Sequence, residues 1–325
     1  MRERGHWDLL VIGELNVDII AAGLERLPKL GEEILASNLE LRMGSSSAIC
    51  AAAASKLGLR VGFVGKVGDD LFGHFVVERL QELGVDTKPI IVDPSIRTGA
   101  TISISTSEDR GLVTYLGSIS ALTLQDIDPS LFNQTRHVHS SSFFLQLKLL
   151  PDYPDLFAAA KEYGCTTSLD TGYDPMKRWD STLWDTLHQT DVFLPNEVEA
   201  PAIAGRGDLG AALETLAEVV PTVVVKLGSE GALAYQEEKK VQIPAFPVEV
   251  VETTGAGDTF NAGFLTAWLR GLTLEESLIL GVAAGSLSVT KIGGSEGAPW
   301  LKEVGDFLLE QGHPLGKRLA QGLEP

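Results

Sequence analysis

The chain is poor in positive charge, in sulfur and in long apolar runs, and each shortage excludes a class of function. Lysine and arginine total 26 against 44 aspartates and glutamates, a formal charge of −18. Phosphate backbones are held by clustered Lys and Arg, so a nucleic-acid partner is not expected, and an anionic membrane surface is disfavoured for the same reason. The two cysteines, Cys50 and Cys165, cannot make a disulfide framework and lack the paired spacing of a structural zinc site. They read as small core residues in a reducing compartment. No apolar run approaches the roughly 18 residues that span a bilayer, and residues 1–8 are charged and polar rather than an apolar leader. A cytoplasmic protein is expected. The Gly-x-Gly-x-x-Gly turn of a dinucleotide-dependent oxidoreductase is also missing, since Val11-Ile12-Gly13-Glu14-Leu15-Asn16 offers a single glycine.

What is present fits a globular protein. With 325 residues, 44% hydrophobic and 22% charged, the chain can bury a large core in one big α/β domain or two average ones. Short β-branched runs at 8–13, 60–67, 137–144, 166–170, 192–196 and 222–227 alternate with helical patterns at 46–57, 71–83, 156–163 and 209–219. That alternation predicts strand-helix-strand units and a doubly wound, largely parallel sheet. Two stretches, 14–42 and 97–117, break it; the second shows period-two strand character with no helix following. We read them as a small antiparallel sheet able to cover a ligand at the carboxyl ends of the main strands. Ordinary surface hairpins would leave the same pattern.

The most informative segment is Glu252-Thr253-Thr254-Gly255-Ala256-Gly257-Asp258-Thr259-Phe260. From Phe260, apolar residues recur at Gly263, Phe264, Ala267 and Trp268, so Gly255, Ala256 and Gly257 feed straight into a helix start. Free N–H groups and the positive end of the helix dipole there suit an anion such as phosphate. Taken alone, Asp258 would be a stabilising charge near that dipole, and it should stay ionised. The whole string resembles the second signature of the ribokinase-like (PfkB) family of carbohydrate kinases. Other patterns in the same order extend the resemblance over nearly the whole chain: Val11-Ile12-Gly13-Glu14-Leu15-Asn16-Val17-Asp18, the run 62–73, Pro195-Asn196-Glu197-Val198-Glu199 and Lys226-Leu227-Gly228-Ser229-Glu230-Gly231.

The resemblance implies a ribokinase-like α/β fold: a doubly wound, mostly parallel sheet flanked by helices, with a small β-sheet lid. Residues 1–13, 43–96 and 118–325 would form the nucleotide- and substrate-binding body, and 14–42 and 97–117 the lid. It implies ATP-dependent phosphorylation of a hydroxyl on a small sugar or sugar-like molecule, with Mg2+ as cofactor and a homodimer formed through the lid. Asp258 would be the general base, and the N–H groups of Gly255, Ala256 and Gly257 the anion hole. Asn16 and Asp18, two apart and so on one face of a strand, would read sugar hydroxyls, with Gly44 and Ser45 beside them. Asn196, Glu199, Lys226, Gly228 and Gly231 would line the nucleotide site, with Glu199 organising Mg2+ through water. Each has a plainer reading. Asn196 and Glu199 have capping-box spacing, Asn16 and Asp18 can sit in an exposed turn, 227–231 can simply join two strands, and Lys226 can be a solvated lysine.

The sequence also departs from the family. Ser45 stands at the second Gly of the first signature, and Ile49 stands at its sugar-contacting Asn. Ile cannot bond a hydroxyl, which puts ribose in doubt and makes Ile49 an apolar wall of the acceptor pocket. Ser45, Ser46 and Ser47 could supply hydroxyl contacts, or Ser45 could cap the following Ala-rich helix. Glu252 replaces a common Asp, leaving K+ binding near Glu252, Thr254 and 288–297 open. A sugar acid would want a cation such as Arg97, Lys148 or Arg178. His137 and His139 read as one polar strand face rather than a metal pair. A nucleoside kinase of the same family and a non-catalytic sugar or nucleotide sensor are the alternatives; retention of Asp258 and its glycines argues against the sensor.

Overall fold

A computed structural model describes residues 6–106, 110–177 and 179–320. The strands are β1 (Leu9–Ile12), β2 (Asn16–Leu24), β3 (Asn38–Met43), β4 (Val61–Val64), β5 (Lys66–Gly68), β6 (Ile91–Asp93), β7 (Gly99–Thr106), β8 (Arg110–Tyr115), β9 (His137–Ser140), β10 (Thr166–Leu169), β11 (Val192–Phe193), β12 (Thr222–Lys226), β13 (Ala232–Gln236) and β14 (Lys239–Ile243). The helices that matter below are α1 (Ser46–Lys56), α2 (Leu71–Glu82), α3 (Tyr153–Glu162), α4 (Ser181–Leu187), α5 (Glu199–Ala204), α6 (Leu209–Ala217), α7 (Ala256–Leu269) and α8 (Leu274–Ser288). No helix among the described residues is long and apolar enough to cross a membrane.

Eight strands form the central sheet in the order β14-β13-β12-β11-β10-β9-β1-β4, parallel from β4 to β12 and antiparallel at β13 and β14. Alternate residues of β1 serve two cores, because strand side chains point to opposite faces. Leu9 and Val11 pack with the Ala-rich face of α1 and with α7 and α8, whereas Leu10 and Ile12 pack with α3, α4 and α6. The result is a three-layer α/β body. From β1 the chain crosses to β4 on one side and returns as β9 on the other, so the order reverses at β1, where such sheets hold their ligands.

Three expected strands are shorter for local reasons. The run 60–67 splits at Gly65, where a Cβ would lie 2.8 Å from the Gly13 carbonyl oxygen, so the backbones pass too closely for a continuous strand. Ser142 takes a left-handed backbone (φ 52°) and ends the run from His137. Pro195, which has no N–H, follows the two-residue β11. A two-stranded pair, β5 with β6, was not foreseen.

The segments 14–42 and 97–117 do meet in one sheet, β3-β2-β7-β8, although 107–109 lie outside the described residues. The expected antiparallel arrangement is corrected at its centre: β2 and β7 run parallel, Asn16 opposite Gly99, while β2–β3 and β7–β8 are antiparallel. The two segments are separate insertions, each bringing its own local pair, and joining those pairs edge to edge makes the seam parallel.

His137 and His139 share a buried hydrogen-bond chain. The rings of His137 and His139 both meet the Ser168 hydroxyl at 2.7 Å, His137 also meets Thr166 (2.7 Å), and His139 also meets Ser141 (2.9 Å). Burial keeps both neutral, pushing His139 down to about 4. The unfolded chain therefore binds a proton below about pH 6.5 that folded His139 refuses, so this residue's contribution to stability is lost as pH falls from there. Replacing His139 with Gln should cost about 2 kcal/mol less at pH 5 than at pH 7, since each pH unit below 6.5 removes about 1.4 kcal/mol. Paired urea unfolding curves of the two proteins check this; a pH-independent difference refutes it.

Candidate active site

The carboxyl ends of five neighbouring strands converge. β1 delivers Gly13 to Asp18, β9 delivers Ser141 to Gln146, β10 delivers Asp170, β11 delivers Pro195 to Glu199, and β12 delivers Lys226 and Gly228. Facing them is the start of α7. Gly255 caps that helix with φ 75° and, having no side chain, makes no side-chain capping bond. A Cβ on Gly255 would lie 2.8 Å from the Gly294 Cα, so the 293–297 turn packs directly against the loop. The Ala256 N–H is turned back to the Thr253 carbonyl (3.2 Å).

Lys226 is the one buried ammonium in this cluster. Its Nζ donates to Asp170 (2.5 Å) and Asn261 (3.3 Å), and Asn261 Nδ2 also donates to Asp170. Burial works against both charges of the pair, but each overcomes it for the other: Asp170 is held below the usual carboxylate range and Lys226 above the usual lysine value. The remaining acids are not so compensated. Burial and then the Asp170 charge push Asp258 up to about 8 and Glu199 up to about 7. The expectation that Asp258 stays ionised at the helix start is therefore corrected: at neutral pH, with nothing bound, desolvation and a like charge outweigh the dipole.

Asn196 and Glu199 make the reciprocal capping box their spacing allows. Asn196 Oδ1 accepts from the N–H of Glu199 (2.9 Å), and Glu199 Oε2 accepts from the N–H of Asn196 (3.0 Å). The stretch from Leu227 to Gly231 joins β12 to antiparallel β13, as in its plainer reading, and a Cβ on Gly231 would lie 2.0 Å from the Ile243 carbonyl oxygen. Beside it lies a cavity of about 560 Å³. Lys226, Gly228, Gly231, Ala256 and Gly257 are among its lining residues; Phe246, Val248, Val250, Val282 and Val289 supply apolar walls.

Asn16, Asp18 and Gly44 also come together. Asn16 Nδ2 donates to Asp18 Oδ1 (3.1 Å), the Gly44 N–H donates to the Asn16 carbonyl (3.0 Å), and a Cβ on Gly44 would lie 2.4 Å from Asp18 Oδ1. Ser45 caps α1, its hydroxyl accepting from the Ala48 N–H (3.0 Å) and meeting the Glu14 carbonyl (2.6 Å) and Oε1 (3.0 Å). Ser47 bonds Glu14, and the Ser46 hydroxyl bonds Asp258. The serine hydroxyls, offered by the sequence as sugar contacts, are all engaged by protein carboxyls.

Ile49 packs against the glycine loop. A Cβ on Gly294 would lie 2.5 Å from Ile49 Cδ1, and one on Gly255 3.0 Å from its Cγ2. Ile49 is thus a wedge under the glycine loop. The turn it supports is held from the far end of α1 by Lys56, whose buried ammonium donates to the carbonyls of Ser295 (2.8 Å), Ala298 (2.9 Å) and Glu296 (3.3 Å). Glu252 accepts from Arg42 on β3 (3.2 Å) and from the Gly293 N–H (2.8 Å), so its carboxylate ties the small sheet to this loop. Thr254 also has a partner. Arg178 lies outside the described residues.

Several contributors carried little signal. Asp170 and Asn261 sit at strand and helix positions that read as ordinary polar residues, and Glu14 lies inside a quoted motif without an assigned role. The cavity walls at 245–250 belong to a stretch without periodicity. The strand ends that precede Glu14 and Asp170 were the available clue.

A family model described as pfkB family carbohydrate kinase matches residues 7–301. A ribokinase of Haemophilus influenzae is 30% identical over 308 residues, 92% of this chain and 98% of its own. Among solved structures, a candidate ribokinase II from E. coli in complex with ATP and Mg2+ is similar with a TM-score of 0.85 at 25% identity, covering 94% of this chain and 99% of that one. Arabidopsis thaliana ribokinase complexed with ribose and ATP is similar with a TM-score of 0.81 at 29% identity, covering 93% and 98%.

The two loop glycines should differ in tolerance. Gly257→Ala brings its Cβ only to 3.7 Å from the Lys226 side chain, an ordinary contact, whereas Gly255→Ala meets both the positive φ and the Gly294 backbone. We expect Gly255→Ala to lose about 2 kcal/mol or more of stability and Gly257→Ala little, read from urea midpoints. Equal effects would refute this account of the loop.

Proposed function

The chain belongs to the pfkB family of carbohydrate kinases, and on that premise we propose that it transfers the γ-phosphoryl group of ATP to a hydroxyl of a small sugar or sugar-like acceptor, with Asp258 as the base. The observation that carries this reading is the position of Asp258 in the first turn of α7, next to Ala256 and Gly257, which line the apolar cavity. The apolar walls of the cavity suit an adenine ring, and Lys226 and Gly257 in its lining suit phosphates. Asp258 takes the proton of the acceptor hydroxyl as that oxygen attacks, so the nucleophile and the proton acceptor lie on one side of the transferred group. With the Ala256 N–H given to Thr253, the anion hole draws on the N–H groups of Gly255 and Gly257 at the helix start.

Mg2+ fits the donor set: two carboxyls, Asp258 and Glu199, whose proton affinity is raised by burial and then by the Asp170 charge. A cation that keeps most of its waters needs only one carboxylate beside the nucleotide phosphates. Bound there, it would neutralise charge on the phosphates, with Glu199 as the residue that would hold its water. Asn16 and Asp18 read the acceptor's hydroxyls. A K+ requirement would have to rely on backbone carbonyls, because the Glu252 carboxylate is engaged by Arg42.

The sheet of 14–42 and 97–117 is, in this reading, a lid on a body of 1–13, 43–96 and 118–325. In register across it, Leu41, Ile19, Ile102 and Val113 form one apolar row, with Val113 62% exposed. We assign this row to a homodimer contact. Val113→Asp should convert a dimer to monomers in sedimentation experiments; an unchanged mass refutes the contact.

A panel of sugars, sugar acids and nucleosides assayed for acceptor-dependent ADP formation tests the activity and identifies the acceptor. Asp258→Asn should lower kcat roughly 10²–10⁴-fold with nucleotide binding retained. Because the free protein's Asp258 is protonated below about pH 8, kcat/KM for nucleotide should rise with pH through that value. Asp170→Asn, which removes the neighbouring like charge, should move the rise to lower pH. Near-normal turnover in folded Asp258→Asn sinks the assignment.

A further inference from the structure

Glu14 is a fully buried carboxyl, 3% exposed, at the carboxyl end of the strand where the sheet order reverses. It has no cationic partner in any hydrogen bond or ion pair described for it. Its partners are instead three serines: Ser45 through its hydroxyl (3.0 Å), Ser47 through its N–H (3.3 Å) and its hydroxyl, and Ser142 through its side chain. Burying a carboxyl without a counter-ion is costly, and hydrogen bonds only partly offset that cost. Burial accordingly raises its pKa against the Ser47 bond.

Two of those serines hold strained backbones. Ser45 has φ 75° and Ser142 has φ 52°, in the left-handed region that side chains other than glycine, asparagine and aspartate rarely adopt. Such strain persists where the surroundings over-determine it, and here the common element is one carboxyl. Between the two bonded serines of the α1 turn stands Ser46, whose side chain bonds the Asp258 carboxyl. A neutral helix cap would need neither the buried acid nor the strained Ser45, because a Ser cap works from the extended region.

We propose that Glu14 is a positioning residue for the phosphoryl-transfer reaction: by gripping Ser45 and Ser47 it fixes the turn that aims Ser46 at Asp258, and so sets the direction in which the base meets the acceptor hydroxyl. The inference rests on the reading of Asp258 as the base. Ser142 anchors the same carboxyl to the end of β9, so the turn is referenced to the central sheet rather than to the small sheet. A base misdirected by a fraction of an ångström loses rate without losing ligands, since proton transfer depends on alignment more steeply than binding does.

The test uses Glu14→Ala, Glu14→Gln, Ser46→Ala and the Glu14→Ala/Ser46→Ala double variant in the full chain, with the acceptor found in the panel. Glu14→Ala should lower kcat roughly 10–10²-fold with the KM for ATP changed less than about threefold. Glu14→Gln, which keeps an acceptor oxygen for the serines, should recover most of that loss. Ser46→Ala should lower kcat, and the double variant should be no slower than the slower single one, because both act on one link. The idea is overturned if Glu14→Ala shifts only the unfolding midpoint while kcat of the folded fraction is unchanged, or if the two losses multiply. Should Glu14→Ala prove insoluble, the Ser46 arm decides, and an unaffected kcat in Ser46→Ala refutes the link. Asp258→Asn, run alongside, separates the two readings: if it turns over normally the base assignment has failed, and if only the Glu14 arm is silent the positioning role has.

Discussion

Four buried or half-buried acids, Asp170, Glu199, Asp258 and Glu14, surround one ammonium, Lys226. Much of the site follows from that imbalance. The single cation is committed to Asp170 and Asn261, so Asp170 alone is stabilised as an anion while its charge raises the proton affinity of Asp258 and Glu199. A site built to accept a polyphosphate is thus itself short of positive charge. The shortage is reconciled if the positive charge arrives with the nucleotide as a metal ion and if the protein's own attraction for phosphate comes from N–H groups, which carry no net charge. The whole-chain charge of −18 points the same way.

Geometry is set by the sheet. Glu14, Asp170, Asn196 and Lys226 stand at or just beyond strand ends, while Asp258 and Asn261 are carried by α7, and the sheet that spaces those ends is packed between cores on its two faces. Helix α1 carries that rigidity across the cleft. Its first turn binds Glu14 and Asp258, its middle places Ile49 beneath Gly255 and Gly294, and its last residue, Lys56, holds three carbonyls of the next turn. The alanines between are fully buried, which lets the helix approach β1 and α7 closely enough to transmit position from one end to the other.

The legible parts of the sequence were those with local causes. Alternating strand and helix patterns marked the body, and the glycine string before Asp258 marked a loop feeding a helix start; the helix begins inside that string, at Ala256. The parallel β2–β7 seam was not legible, since hairpin connectivity is local and this pairing is not. The packing of Ile49 was not legible for the same reason: its neighbours, Gly255 and Gly294, are remote in sequence. Asp258's protonation was missed because a helix dipole is visible in the sequence and the burial and charge contributed by Asp170 are not.

The parallel seam gives the small sheet an unusual construction: two edge-to-edge pairs, β3–β2 and β7–β8, zipped along a line whose strands are separated in the chain by α1, β4 and α2. Each pair joins residues close in the chain, whereas the seam sets Asn16 opposite Gly99, and closing so long a loop costs more entropy than closing either pair. With the two pairs formed and not yet joined, β2 and β7 each present an unpaired strand edge, and the seam removes both edges at once.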